Sequence, residues 1–509
     1  MPTAPVSTFP LTSSAITASA VTASAVTASP VTASAGAAAP GRLTVGMAVH
    51  DDYDGAYFTA LALRLYHPEV ADRVEILLLD NDPHGPAAEA LRALEGTVPG
   101  LRYLPVDQPR GTAVRDIIFR EARTEWVMCV DCHVLLVPGA LARFLAYADA
   151  HPHSCDLLQG PVLSDDLCTV QTHMDPVFNN LYGVWGCDPR GMDPDAPPFE
   201  IGMQGLGLFA CRKDAWLGFN PRMRGHGGEE GYIHKKYRAA GARVLCLPFL
   251  RWTHRFARPH GTGYPVDAAE RCRNYLLAWE EVGMAVEPVL DYYRETCGEV
   301  VERWLADYLA EKNHPLNYFD ALVCVNPGGD ASGWAAASRR FRRLGVADRV
   351  RRLVPPESGD PRVVRALAHR MAIAQARQQG LEHVLVFEDQ VAFREDAPAV
   401  LAANLSELAE QRWTICHLGE AHQYHPAPGC HHLQTARDLT STDAIAYHAR
   451  IYDRLLAELP SSEPEIRSWL EIHTSLERFY AHRLPEGVFK VSPTVAVQGG
   501  PARDLLRTA

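Results

Sequence analysis

From Leu43 onward, apolar residues fall into two alternating kinds of stretch. Short continuous runs (Leu43 to Val49, Val74 to Leu79, Leu101 to Val106, Trp126 to Val130) predict buried strands. Between them, apolar positions three and four apart predict amphipathic helices over about Tyr57 to Tyr66, Gly85 to Leu94 and Gly111 to Ala122. Strand, helix and strand at this spacing predict a mostly parallel sheet with helices on both faces. From Asp267 to Lys312, Tyr275, Leu276, Trp279, Val300, Val301, Trp304, Leu305, Tyr308 and Leu309 keep helical spacing and predict a helical connector. After His314-Pro315 the first pattern returns: strand Ala321 to Val325, helix Gly333 to Leu344, strand Val350 to Val354, helix Pro361 to Gln379, strand His383 to Phe387. The chain is therefore expected to be α/β, with two Rossmann-like units in tandem, residues 42–265 and 314–509, joined by helices over 266–313.

Residues 1–41 follow neither pattern. No charged residue precedes Arg42, and from Ile16 to Ala35 a five-residue Ile/Val-Thr-Ala-Ser-Ala/Pro unit repeats four times. Such a tract cannot bury enough apolar surface to offset its ordering entropy, so a disordered tail is expected. Without Lys or Arg ahead of it, and with Thr and Ser interrupting it, the tract does not read as a secretory signal. No run of about 18 apolar residues exists, so no transmembrane segment is expected. The 509 residues carry 49 Lys and Arg against 61 Asp and Glu, a net charge of −12 that disfavours a nucleic-acid partner. Of 12 cysteines only Cys129 and Cys132 are two residues apart with no second pair, while Cys246 and Cys324 sit inside strand-like runs. Reduced thiols and a cytoplasmic localisation are the expectation.

Ligands of such sheets bind beyond the carboxyl ends of the strands, so strand-end polar residues come first. Trp126-Val-Met-Cys-Val-Asp131-Cys132-His133 ends in Asp-x-His; alternate residues of an extended chain share a side, so one carboxylate and one imidazole converge. A divalent cation bridging two phosphates needs such a pair, with positions left open. Gly225-His-Gly-Gly-Glu229-Glu230-Gly231 sets two carboxylates at a helix start, where one can take a proton from an acceptor hydroxyl. A small-residue strand follows Met203-Gln-Gly205 and approaches any ligand closely. Leu250-Arg-Trp-Thr-His254-Arg255-Phe256 is a late strand whose His can complete a metal set and whose Arg251 and Arg255, with Arg258 beyond, can neutralise phosphate. Each feature alone reads equally as an ordinary strand end or helix start; their order along one sheet sets them apart.

With these motifs, residues 43–258 resemble a GT-A-fold glycosyltransferase of the family 2 type, and the Asp-x-His, Gly-Gly-Glu and late His are similar to polypeptide N-acetylgalactosaminyltransferases. The resemblance implies that Asp131, His133 and His254 hold Mn²⁺ or Mg²⁺ on the diphosphate of a nucleotide sugar, most simply a UDP-sugar. It places Asp80, in Leu-Leu-Leu-Asp-Asn-Asp, on the nucleoside, and Arg115, in Gly111-Thr-Ala-Val-Arg115-Asp116, near the base, with Asp116 where the family has Asn. Asp131, Gly205 and Arg255 join the donor site, and Glu229 or Glu230 falls at the acceptor-side acidic motif. The acidic loop His50-Asp51-Asp52 departs from the family. The implied activity is hexosyl or N-acetylhexosaminyl transfer to a carbohydrate, peptide or small-molecule acceptor; inversion and retention both stay open.

Residues 319–498 resemble, more weakly, the family 25 glycosyltransferases of lipooligosaccharide and collagen modification, through Ala321-Leu-Val-Cys-Val-Asn326, Val384-Leu-Val-Phe-Glu388-Asp389-Gln390, Leu418-Gly419 and Thr442-Asp-Ala-Ile-Ala-Tyr447. Gln390 stands where that family has an Asp that helps bind metal, so Glu388 and Asp389 are the candidates left, and the unit is either a second transferase or a degenerate copy that binds acceptor or product. The cluster Cys416-His417, His422, His425, Cys430-His431-His432 matches no standard zinc spacing and is expected in a long loop after Gly419. Two rival functions make different demands on the sequence. A nucleotidyltransferase would carry a Gly-rich basic loop after the first strand, where His50-Asp-Asp-Tyr-Asp54 is acidic; a carbohydrate-binding or scaffold protein of decayed transferase units would have lost the first unit's acid and His positions.

Overall fold

The continuous apolar runs form the middle of two mixed sheets. The computed structural model describes residues 42–106, 111–178, 182–257, 266–439, 441–483 and 486–498. The expected tail and Arg258 lie outside them. In the first eight-stranded sheet the order from edge to edge is Phe199–Glu200, Val244–Cys246, Leu157–Gln159, Leu208–Arg212, Trp126–Asp131, Leu43–Val49, Val74–Asp80 and Leu101–Pro105. The last four run parallel, and Leu208–Arg212 is antiparallel to Trp126–Asp131. Alternate residues feed two cores: Val45, Ile76, Leu78 and Met128 face one side, Leu77, Leu79, Val127 and Cys129 the other. Burial on both faces is why these strands read as unbroken apolar runs.

The helix after the first strand begins at Tyr53 rather than Tyr57, because Asp52 caps it by accepting the Gly55 N–H at 3.0 Å. The Gly111–Ala122 stretch splits into a 3₁₀ turn, Gly111–Val114, and the helix Arg115–Glu121. The connector forms three helices, Ala268–Glu281, Glu287–Cys297 and Val300–Lys312, and their residues Cys272, Leu276, Val289, Val301 and Tyr308 complete the second core of the first sheet. The connector is thus packed onto the first unit.

The second eight-stranded sheet runs Val350–Leu353, Ala321–Val325, His383–Glu388, Ala444–His448, Ile415–His417, Val488–Lys490, Gln434–Leu439, Ala421–Pro426. Its order matches that of the first sheet read from the Leu101–Pro105 edge, starting at Val74–Asp80. Ala444–His448 is the antiparallel strand beside the acid-bearing strand, Ile415–His417 is antiparallel to it in turn, and Val488–Lys490 is parallel to Ile415–His417, as Leu208–Arg212, Leu157–Gln159 and Val244–Cys246 are in the first sheet. The chain is an α/β protein with two Rossmann-like, GT-A-type sheets joined by helices. The segment after Gly419, expected as a long loop, is instead the hairpin Ala421–Pro426 and Gln434–Leu439, which closes the sheet edge.

Candidate active site

A small four-stranded sheet assembles the site. After Trp126–Asp131 ends, the chain re-enters as Val134–Leu136 and pairs antiparallel with Trp252–His254, so that His254 lies opposite Val134. That register sets the His254 ring against His133, with centroids 4.7 Å apart, and brings its Nε2 to 3.3 Å from Asp131 Oδ2. The Arg255 N–H donates to the His133 carbonyl at 3.2 Å and fixes the turn. Two motifs 123 residues apart therefore meet through one strand pairing.

Charge at this point is tightly arranged. Burial works against ionising Asp131, but the Arg115 guanidinium, 2.8 Å away, and then His254 outweigh it and hold the carboxyl well below the usual range. The other side of Arg115 reaches Glu229 Oε1 at 3.4 Å, so one buried cation bridges Asp131 and Glu229. Glu229 is 2% exposed, and its Oε2 has no hydrogen-bond partner among the described residues. Glu230, the first residue of the Glu230–Ala239 helix, is pushed up to about 7 by burial and by the neighbouring Glu229 charge. Sequence reasoning did not single out Asp52. Its carboxylate takes a 3.0 Å contact with His133 Nδ1 and a forked pair from Arg255 Nη2 at 2.9 and 2.7 Å. Burial opposes its charge, yet the hydrogen bonds from His133 and Arg255 keep its carboxyl well below the usual range. The cue was the acidic His50-Asp51-Asp52 loop; its partner lies 81 residues on.

A cavity of about 380 Å³ opens beside this cluster, walled by Ala48, Val49, His50, Asp52, Asn81, Gly111, Thr112, Arg115, Asp131, His133, Gly225, His226 and, from the second half of the chain, Asp348. Of the residues expected to bind donor or metal, Arg115, Asp131 and His133 are in its wall, while His254, Arg255 and Glu229 stand behind, each bonded to a wall residue. Asp80 is buried one step deeper: its oxygens accept the Tyr103 hydroxyl at 2.7 Å and the Asp82 N–H at 2.9 Å, and Asn81 reaches the wall instead. Gly205 is set against Trp185 and Met174 and its carbonyl accepts the Gln159 amide at 2.8 Å. Asp116 turns away to take the Trp216 indole N–H at 2.8 Å.

The donor set fits a divalent metal. Asp131, His133 and His254 each bring one ligand atom within 4.8 Å of the other two. One carboxylate oxygen and two imidazole nitrogens suit a first-row ion such as Mn²⁺ and leave positions for phosphate oxygens. Asp52, holding His133 Nδ1, fixes the ring so that Nε2 presents a lone pair, the usual support for a metal-bound His. Among the described residues His254 Nδ1 is buried with no hydrogen-bond partner.

The second sheet repeats the charge pattern without the imidazoles. Glu388 ends the strand equivalent to Trp126–Asp131 and pairs with Arg365 Nε at 2.7 Å; Arg365 Nη1 lies 3.5 Å from Glu477, which opens the Leu476–Arg483 helix. Arg365, Glu388 and Glu477 thus repeat Arg115, Asp131 and Glu229. Gln390 falls where His133 stands, and the strand pair Val391–Phe393 with Ala496–Gln498 sets Gln498 opposite Val391, as His254 is opposite Val134. Asp389 accepts the Asn326 amide at 2.8 Å. Cys416 and His417 are buried in the Ile415–His417 strand, and the backbone N–H groups of His431 and His432 donate to Glu407.

Fold and site define a GT-A-type α/β protein with an acid-and-imidazole cluster at its strand ends. Residues 62–183, which carry Asp80, Arg115, Asp131 and His133, match the model of glycosyl transferase family 2. No curated protein matches the chain. GalNAc-T7, whose crystal structure holds UDP, GalNAc and Mn²⁺, aligns with a TM-score of 0.38 and 14% identity over 53% of this chain and 54% of its own, so the likeness spans about half of that protein. Mannosyltransferase PcManGT from Pyrobaculum calidifontis, in complex with GDP-Man and Mn²⁺, aligns with a TM-score of 0.35 and 16% identity over 54% of this chain and 77% of its own. Among the described residues no helix is long and apolar enough to cross a membrane.

Proposed function

We propose that the chain is a metal-dependent glycosyltransferase that takes a hexosyl or N-acetylhexosaminyl group from a nucleotide sugar, a UDP-sugar in the simplest case, and passes it to a carbohydrate, peptide or small-molecule acceptor in the cytoplasm. The observation that carries this reading is the Asp131, His133 and His254 cluster on a cavity at the carboxyl ends of parallel strands, within or beside the segment matching family 2. The unit of residues 42–265 does the chemistry. Asp131, His133 and His254 would hold Mn²⁺ or Mg²⁺, and a bound ion would act as a Lewis acid on the departing diphosphate. Arg115 keeps Asp131 ionised and Glu229 in place; Arg255 orients Asp52 and, through it, His133. Asn81, at the wall, contacts the nucleoside with Asp80 bracing the turn behind it. Glu229 or Glu230 accepts the acceptor hydroxyl's proton.

For residues 314–509 the reading favoured is the degenerate copy over a second metal-dependent transferase: Gln390 follows Glu388 at the spacing at which His133 follows Asp131, Gln498 holds the register position of His254, and Glu388 pairs with Arg365 and Thr442. Incubating the full chain with a panel of UDP- and GDP-sugars tests the reading, because slow donor hydrolysis needs no acceptor. At least one donor should be hydrolysed only with Mn²⁺ or Mg²⁺, and Asp131→Ala should lower the rate by about a hundredfold or more. No binding or hydrolysis of any donor with either ion would overturn it in favour of a carbohydrate-binding scaffold.

A further inference from the structure

We propose that Glu382, His383 and His448, at the end of the second sheet away from Glu388, form a further metal site, and that the ion it takes is Zn²⁺. The assignment does not depend on the function proposed above. His383 opens the strand His383–Glu388 and His448 closes the antiparallel strand Ala444–His448, where the two are direct partners across the ladder. Such partners project to the same face, so strand register alone brings the imidazoles together, with ring centroids 4.9 Å apart and planes at 88°. Glu382, one residue earlier, brings its Oε1 to 3.5 Å from His448 Nε2, and one ligand atom from each of the three lies within 4.8 Å of the other two. Donors about 2.0–2.1 Å from a tetrahedral ion are about 3.3 Å from one another, so the Glu382–His448 pair has nearly the spacing of two ligands of one ion.

The surroundings hold these donors in place. The His383 ring stacks on Tyr318 and Trp413, with centroids 4.8 and 5.3 Å away, and His448 meets Trp413 edge-on at 5.1 Å. Asp320 Oδ2 accepts the N–H groups of Glu382 and His383 at 2.7 and 2.9 Å, which fixes the backbone that carries two of the ligands and sets a second carboxylate beside them. Burial pushes the His383 imidazole down, and that of His448 down to about 4, so both rings are neutral near pH 7 and each has a lone pair. His448 Nδ1 accepts the Arg450 N–H at 3.2 Å and caps the helix Ala449–Glu458; an ion on Nε2 would move the ring proton to Nδ1 and exchange one neutral cap bond for a coordinate bond. The Glu382 side chain is 63% exposed and gives an ion its way in.

At the matching positions the first sheet has Glu125, Trp126 and Arg212, with Trp126 opposite Arg212 in the register that pairs His383 with His448. This imidazole pair therefore belongs to the second half alone and sits at the strand end opposite to that of His133. Where a nucleotide diphosphate adds oxygen ligands, as proposed at Asp131, Mn²⁺ is accommodated; two imidazole nitrogens and one carboxylate completed by water rank Zn²⁺ above Mn²⁺ and Mg²⁺.

The test is titration of the chelator-stripped full chain with Zn²⁺ against a competing metallochromic dye, in a His133→Ala background. His133 belongs to both donor groups of the first site, so its replacement leaves the Glu382, His383 and His448 group to be measured. His133→Ala should bind one Zn²⁺ and rise in Tm on binding it. Adding Glu382→Gln, at an exposed side chain, should weaken that Zn²⁺ by about tenfold or more, and adding His383→Gln should abolish it. With Co²⁺ as the probe, His133→Ala should show the visible absorption of a four- or five-coordinate ion, and the version with His383→Gln should not. No Zn²⁺ bound by His133→Ala, or an affinity that neither added replacement changes, overturns the assignment.

Discussion

One buried guanidinium keeps Asp131 ionised against its burial. Arg115 touches both Asp131 and Glu229, so both acids stay near a cation, whereas Glu230 has burial and the Glu229 charge against it and is pushed up to about 7. If Glu230 accepts the acceptor's proton, transfer should rise with pH through about 7, and Glu230→Gln should remove both activity and the rising limb of the profile, read from initial rates between pH 5.5 and 8.5. Stability should move the other way. From the ordinary value of 4.5 up to about 7 the folded chain keeps a proton that the unfolded chain has released, so this group's contribution falls as pH rises across that window. Tm measured over the same range should decline less in Glu230→Gln than in the parent. A pH-independent rate in the parent would remove Glu230 from the chemistry. The carboxylates were legible as residue types because a Gly-Gly-Glu-Glu helix start is a local pattern. Asp52 was not, since the contact that gives it a role spans 81 residues and depends on how the first helix is capped.

At the scale of elements, the periodic stretches were legible and the irregular ones were not. Leu43–Val49 and Ala321–Val325 coincide with their apolar runs because both faces of each strand are buried. The Ala421–Pro426 strand escaped notice because only Ala421 is buried; His422, Gln423, Tyr424 and His425 face solvent at the sheet edge and leave no hydrophobic alternation to read. The contact between the Gly111–Val114 turn and the Gly225–Glu230 turn was likewise invisible, since glycine carries no pattern of its own. Here the Thr112 N–H donates to the Gly225 carbonyl at 2.9 Å, and a Cβ on Gly111, whose φ is +58°, would sit 1.8 Å from that oxygen. Gly111→Ala should therefore combine left-handed strain with a backbone collision and cost more than about 2 kcal/mol, while Gly139→Ala, at φ +79° with open space around its Cβ, should cost only the strain of about 1–2 kcal/mol. Urea denaturation of the two variants separates these cases: equal losses would show that the two turns are not in tight contact.

The two halves of the molecule share one construction and differ at the positions that a cation would need. Both keep an arginine between a strand-end acid and a helix-start acid, at 2.8 and 3.4 Å for Arg115 and at 2.7 and 3.5 Å for Arg365. The trio recurs in both sheets whether or not imidazoles accompany the strand-end acid; under the proposed function, metal binding would be the added property of His133 and His254. Gln390 and Gln498 offer only neutral amide oxygens, which bind a first-row ion far more weakly than imidazole nitrogen. Asp348, in the 3₁₀ turn Ala347–Arg349 between the helix Ala331–Leu344 and the strand Val350–Leu353, lines the cavity beside Asp131 and pairs with Arg224, so the second half borders that cavity. Replacing Gln390→His and Gln498→His together would put imidazoles at the spacing and strand register of His133 and His254. The parent chain should bind one Mn²⁺ in a titration followed by electron paramagnetic resonance, and the double variant two, with Asp131→Ala removing one equivalent from each. A second equivalent in the parent would show that the second sheet is not degenerate in its metal chemistry. Its absence from the double variant would show that the repeat of strand order does not extend to the geometry of the site.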